Sequence, residues 1–136
     1  YMSEKHTCAA LVIHCIDFRL QKFIQGFLAG EFPEGFDRIA IAGGIKDLFK
    51  EGVKRDYILS QIAISLKLHE PSVLVFLQHE DCGAYGGSAN FASAKQEQEF
   101  HASELSKAAE LLLALYPQIQ SVKKYLAKLT GEIAGF

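Results

Sequence analysis

Ser72-Val-Leu-Val-Phe-Leu-Gln78 runs straight into His79-Glu80-Asp81-Cys82. Its apolar centre is rich in β-forming residues, and Pro71 closes it in front. Such a run predicts a strand buried on both faces, the form strands take in a parallel sheet. A second run lies upstream: Ala9-Ala10-Leu11-Val12-Ile13, followed by His14-Cys15-Ile16-Asp17-Phe18-Arg19. Both runs therefore end in residues that can carry chemistry.

The rest of the chain fits helices between such strands. Leu20, Phe23, Ile24, Phe27 and Leu28 fall on one helical stripe, with Gly30 as the expected stop and Pro33 beyond it. Phe36 to Ala42 predicts another strand, ending at Gly43-Gly44. Asp56 is expected to cap a helix carrying Ile58, Ile62 and Leu66. Gly83 to Asn90 reads as a loop, and Phe91 to Leu115 holds a long helical pattern ending near Pro117. Ser121 to Leu129 predicts a fourth strand, after which Thr130-Gly131 turns the chain. The expected architecture is α/β: a mainly parallel sheet of strand order about 2-1-3-4, with helices on both faces. One domain is expected across residues 1–136, with Tyr1, ahead of Met2, set aside as an expression remnant.

Composition limits the function classes. Hydrophobic residues make up 49% of the 136 positions and charged residues 22%, which argues against disorder. Fourteen Lys and Arg against sixteen Asp and Glu give a net charge of -2, which excludes a strongly basic nucleic-acid binder. No apolar stretch is long enough to span a bilayer, and no secretory core is found near the start, so no membrane partner and a cytoplasmic location are expected. Three cysteines cannot pair completely, and in a reducing compartment thiols beside strand ends are buried, catalytic or metal-bound.

Sites in open α/β sheets form beyond the carboxyl ends of the strands, where strand order reverses. In order 2-1-3-4 the strands before Cys15 and His79 are neighbours there. Two thiols and an imidazole suit zinc, and three protein ligands leave a fourth position open. The plain alternative is a pair of buried apolar thiols and a core histidine. Asp17 and Arg19, one residue apart, can form a charge-assisted pair beside Cys15 or an ordinary surface ion pair. A redox or nucleotide-binding domain is disfavoured, because the chain has no CxxC and no GxGxxG. Glu80 and Asp81 are expected to solvate their turn. Glu97, Glu99, Glu104, Lys95 and Lys107 are expected to form a solvated helix face.

Cys15-Ile16-Asp17-Phe18-Arg19 together with His79-Glu80-Asp81-Cys82-Gly83 resembles the β-class carbonic anhydrases, whose pattern is C-x-D-S-R followed by H-x-x-C-G. Ala42-Gly43-Gly44 is similar to the end of that family's R-N-A-G-G segment. The resemblance implies one Zn2+ per chain, held by Cys15, His79 and Cys82. It implies reversible hydration of carbon dioxide to bicarbonate and a proton by zinc-bound hydroxide. Asp17 and Arg19 would be the catalytic dyad, with Arg19 holding Asp17 off the metal; in some members the aspartate instead becomes a fourth ligand. A homodimer is also implied. Phe18 stands where Ser is usual, Ala40-Ile41 where Arg-Asn is usual, and Gln78 where Gly is common. Carbon dioxide is uncharged, so its pocket should be apolar, and Phe18, Ala42, Gly43 and Ile45 are the candidate walls. Two alternatives share the ligand spacing: a carbon disulfide or carbonyl sulfide hydrolase, and a non-catalytic zinc-stabilised binding module.

Overall fold

The computed structural model describes residues 6–136, so Tyr1 and Met2 lie outside the described residues. The apolar runs become β1 (Ala10–His14) and β3 (Val73–His79), hydrogen-bonded side by side in parallel. Leu11, Ile13, Leu74 and Phe76 enter one core cluster, while Ala10, Val12, Val75 and Leu77 enter another on the opposite face. This alternation is what a doubly covered strand requires.

β2 (Phe36–Ala40) pairs parallel with β1, and β4 (Ser121–Ala127) pairs parallel with β3. The sheet order is 2-1-3-4-5. The fifth strand, β5 (Ile133–Gly135), is an addition to the expected order: the chain turns at Thr130-Gly131 and returns antiparallel along β4. Three residues defined by their partner carry no periodic signal of their own.

Among the described residues the α-helices are α1 (Gln21–Glu31), α2 (Val53–His69) and α3 (Ala94–Leu115). Leu20, Ile24 and Leu28 pack α1 on one face of the sheet. Ile58, Ile62 and Leu66 of α2, with Leu105, Ala108 and Leu112 of α3, cover the other. Gly30 does not stop α1; the helix runs through it to a cap at Phe32, whose N–H bonds Leu28 O. Asp56 is not a cap either: α2 starts at Val53 behind Gly52, and Asp56 lies in the first turn, where a carboxylate favours the helix dipole. Ser93 caps α3 by accepting from Gln96 N–H. The Gly83–Asn90 loop contains two short 3-10 turns. Among the described residues, no helix is long and apolar enough to cross a membrane.

Candidate metal centre

β1 ends at His14 and β3 at His79, so the neighbouring strands deliver Cys15 and His79 to the same edge of the sheet. Asp81, with φ at +58°, then turns the chain so that Cys82 comes back toward Cys15. The two Sγ atoms are 3.9 Å apart across 67 residues of sequence. Cys15 Sγ, Cys82 Sγ and a ring nitrogen of His79 all lie within 4.8 Å of one another, and all three residues are buried.

The polar groups around this cluster suit a bound cation. His79 Nδ1–H donates to Glu80 O at 2.6 Å, which leaves the Nε2 lone pair exposed toward the site. That Nε2 is buried and has no hydrogen-bond partner. A backbone bond to one ring nitrogen, with the other free, is how a histidine is oriented for a metal. Gly43 N–H donates to Cys15 Sγ at 3.4 Å. The hydrogen bond from Cys82 pulls the Cys15 thiol's pKa down, against its burial, with His79 and Gly43 helping; the same contact and burial push Cys82 up. A divalent cation held here would take both sulfurs as thiolates. The donor set, two soft thiols and an imidazole, therefore fits zinc.

Asp17 and Arg19 stand at the rim. Arg19 Nη2 donates to Asp17 Oδ2 at 2.7 Å, and Arg19 Nε to Asp17 Oδ1 at 3.0 Å. This side-chain pairing holds the Asp17 pKa down to about 2. Asp17 Oδ2 is 3.9 Å from His79 Nε2, yet Asp17 does not join the mutual three-residue cluster. Gln21 Nε2 fixes the segment beneath by donating to Cys15 O and Asp17 O.

Several residues matter here that sequence reasoning assigned elsewhere. Asp81, expected only to solvate its turn, accepts from Arg19 Nη1 at 3.0 Å, and its carbonyl accepts from Nη2 at 3.1 Å. Glu97, placed on a solvated face, is 3% exposed. Its carboxylate accepts from Asp81 N–H at 3.0 Å and from Ser88 Oγ at 2.9 Å. The signal was present: Leu105 and Leu112 extended backward by helical steps reach His101 and then Glu97. Glu80 likewise accepts from Leu129 N–H. Gln78 is buried and ties the glycine turn to the site, donating to Gly43 O and accepting from Ile45 N–H. Gly44, with φ at +59°, has no Cβ where Gln78 Oε1 lies.

A surface depression beside the cluster is lined by Ile16, Asp17, Phe18, Arg19, Asp81 and the glycines of the 83–87 turn. Phe18 stands out from it, 86% exposed. Of the other expected pocket residues, Gly43 touches Cys15, Ala42 is exposed, and Ile45 is buried in the core.

Fold and site together define an α/β protein with a Cys-His-Cys cluster at the switch point of its sheet. Residues 5–133 match the family described as "Putative carbonic anhydrase", and the chain belongs to that family. Its fold is that of the β-carbonic anhydrases. Isoform I of Trichomonas vaginalis superposes with a TM-score of 0.63 at 15% identity, over 99% of this chain and 87% of that one. One of the tetrameric β-carbonic anhydrases of Sordaria macrospora gives 0.60 at 15% identity, over 96% and 81%. An uncharacterized protein of Rickettsia conorii is 28% identical over 98% of this chain and 74% of its own length.

Proposed function

We propose that the protein is a cytoplasmic, zinc-dependent carbonic anhydrase that interconverts carbon dioxide and bicarbonate, working as a homodimer with one Zn2+ per chain. The observation that carries this reading is the buried Cys15-His79-Cys82 cluster with an unpartnered His79 Nε2, set beside a carboxylate already held by a guanidinium.

Cys15, His79 and Cys82 would hold the ion. When bound, zinc supplies a Lewis acid that lowers the pKa of water, less strongly beside two thiolates than beside neutral ligands. The chain's own residues do the rest. The Glu80 carbonyl fixes the tautomer of His79. Gly43 N–H steadies the Cys15 sulfur. Arg19 keeps Asp17 ionised and outside the ligand cluster, with Oδ2 beside His79 and placed to accept a hydrogen bond from the reacting water. Asp81 grips the far side of Arg19 and thereby positions Asp17. Ile16 and Phe18, both exposed, line the depression beside the cluster and offer an apolar approach suited to an uncharged substrate.

Three free cysteines support a reducing compartment. The half-exposed edge strand β2 and the similarity to a tetrameric enzyme support an oligomer.

Stopped-flow hydration of carbon dioxide, at neutral and alkaline pH and with zinc content measured per chain, tests the reading. Zinc-dependent hydration, rising with pH and lost in Asp17→Ala and Arg19→Ala, is the expected result. Full zinc occupancy without hydration at either pH overturns it, and release of sulfide from carbonyl sulfide or carbon disulfide by the same sample would name the substrate instead.

A further inference from the structure

At the opposite end of β1 from Cys15, a second group of metal-ligating side chains converges. Cys8 precedes β1, Asp37 lies on β2 and His69 ends α2. One ligand atom from each lies within 4.8 Å of the others, and all three residues are partly buried. Seven residues of nearly extended chain put this group about 20 Å from Cys15, so the two clusters are independent.

We propose that Cys8, Asp37 and His69 form a second metal site, one that binds a zinc-class divalent cation and clasps the start of β1 to β2 and to the end of α2. Thiolate, imidazole and carboxylate are the three donor types zinc takes, and two anionic ligands would neutralise its charge. The backbone is already arranged for a clasp: Cys8 N–H donates to His69 O at 3.0 Å, so the first and last ligands sit on directly bonded segments. His69 Nδ1 and Asp37 Oδ2 share a hydrogen at 2.6 Å. Ligands around a tetrahedral zinc stand about 3.3–3.7 Å apart, so exchanging that hydrogen for an ion asks these atoms to part by about 1 Å. The supporting shell is in place. Ser65 Oγ donates to Asp37 Oδ2 at 2.6 Å, the bond expected to orient a ligating carboxylate. The His6 ring lies 4.8 Å from the His69 ring, centre to centre, and brings another imidazole beside the cluster. A cleft of about 220 Å³, lined by Asp37, Ser65, His69 and Gln61, gives an ion its path in.

Nothing in the carbonic anhydrase reading needs this group, and its test does not depend on that reading. Wild-type protein, Cys8→Ser and His69→Ala are loaded with Zn2+, desalted and counted for metal per chain, with circular dichroism as the check on folding. The expected result is one ion fewer per chain in each folded variant. Equal metal content in wild type and folded variants overturns the proposal. On the unaltered chain, maleimide labelling of Cys8, followed peptide by peptide, is expected to slow at least tenfold in saturating Zn2+. An unchanged labelling rate overturns the proposal whatever the variants do.

Discussion

Glu97→Ala should destabilise the protein severely, although Glu97 sits among charged residues on α3. Its carboxylate is buried and receives two donors, the Asp81 N–H at 3.0 Å and the Ser88 hydroxyl at 2.9 Å. Hydrogen bonds to a charged acceptor contribute about 1.5–3 kcal/mol each, and the lower end applies where the abandoned donor can reach water. Both donors lie on the partly exposed 81–88 turn, so the loss comes to about 3–4 kcal/mol. For a chain of this length each kcal/mol moves the melting temperature by roughly 3–5 °C, giving a drop of roughly 9–20 °C. Thermal unfolding followed by circular dichroism measures it. Glu99→Ala is the control: its side chain is 67% exposed, and substitutions there stay within about 0.5 kcal/mol. Glu97→Gln keeps the volume and one acceptor oxygen, so it should lose about half as much. Equal melting temperatures for Glu97→Ala and Glu99→Ala would refute the reasoning, because they would mean that the 81–88 turn does not lean on the helix.

Two other perturbations probe the site's supports. Arg19 holds the Asp17 pKa near 2, below its unfolded value of about 4, so this pair stabilises the fold above about pH 4 and ceases to as pH falls through about 2. The gap in urea midpoint between wild type and Arg19→Ala should therefore be small, because Arg19 is exposed, and should close between pH 5 and 2; a gap independent of pH would count against the pairing. Gly44→Ala should cost about 2–4 kcal/mol in urea unfolding, since it adds a side chain at positive φ against Gln78 Oε1. Gly26→Ala, in α1 with open space around its Cβ position, should instead gain about 0.5–1 kcal/mol, and a similar loss at both positions would contradict the packing described for Gln78.

The parts legible in the sequence were those whose signal is local. Leu11-Val12-Ile13 and Val73 to Leu77 are apolar on both faces, and that alone places them at the centre of a parallel sheet. Cys15 and His79 could be read as neighbours because each follows such a strand. Other features depended on partners far along the chain. β5 exists because β4 offers an edge for three residues to pair with. Gly30 resembles a helix stop, but the turn that ends α1 is set by Phe32 burying its ring in the α1-side core.

Asp81 and Glu97 were misplaced for a physical reason that bears on function. Charged residues are usually solvated, and a local reading can assign no other role without knowing what they face. Here Glu97 holds the backbone of Asp81, Asp81 holds the outer edge of Arg19, and Arg19 holds Asp17 beside His79. Each link is a hydrogen bond to an ionised group, and the chain of links runs from a fully covered helix position to an exposed rim. Asp17 and Arg19 occupy a surface segment with little packing of its own, so their geometry has to come from somewhere rigid. α3 supplies it, which makes the precision of the site a property of a helix that carries none of the expected ligands.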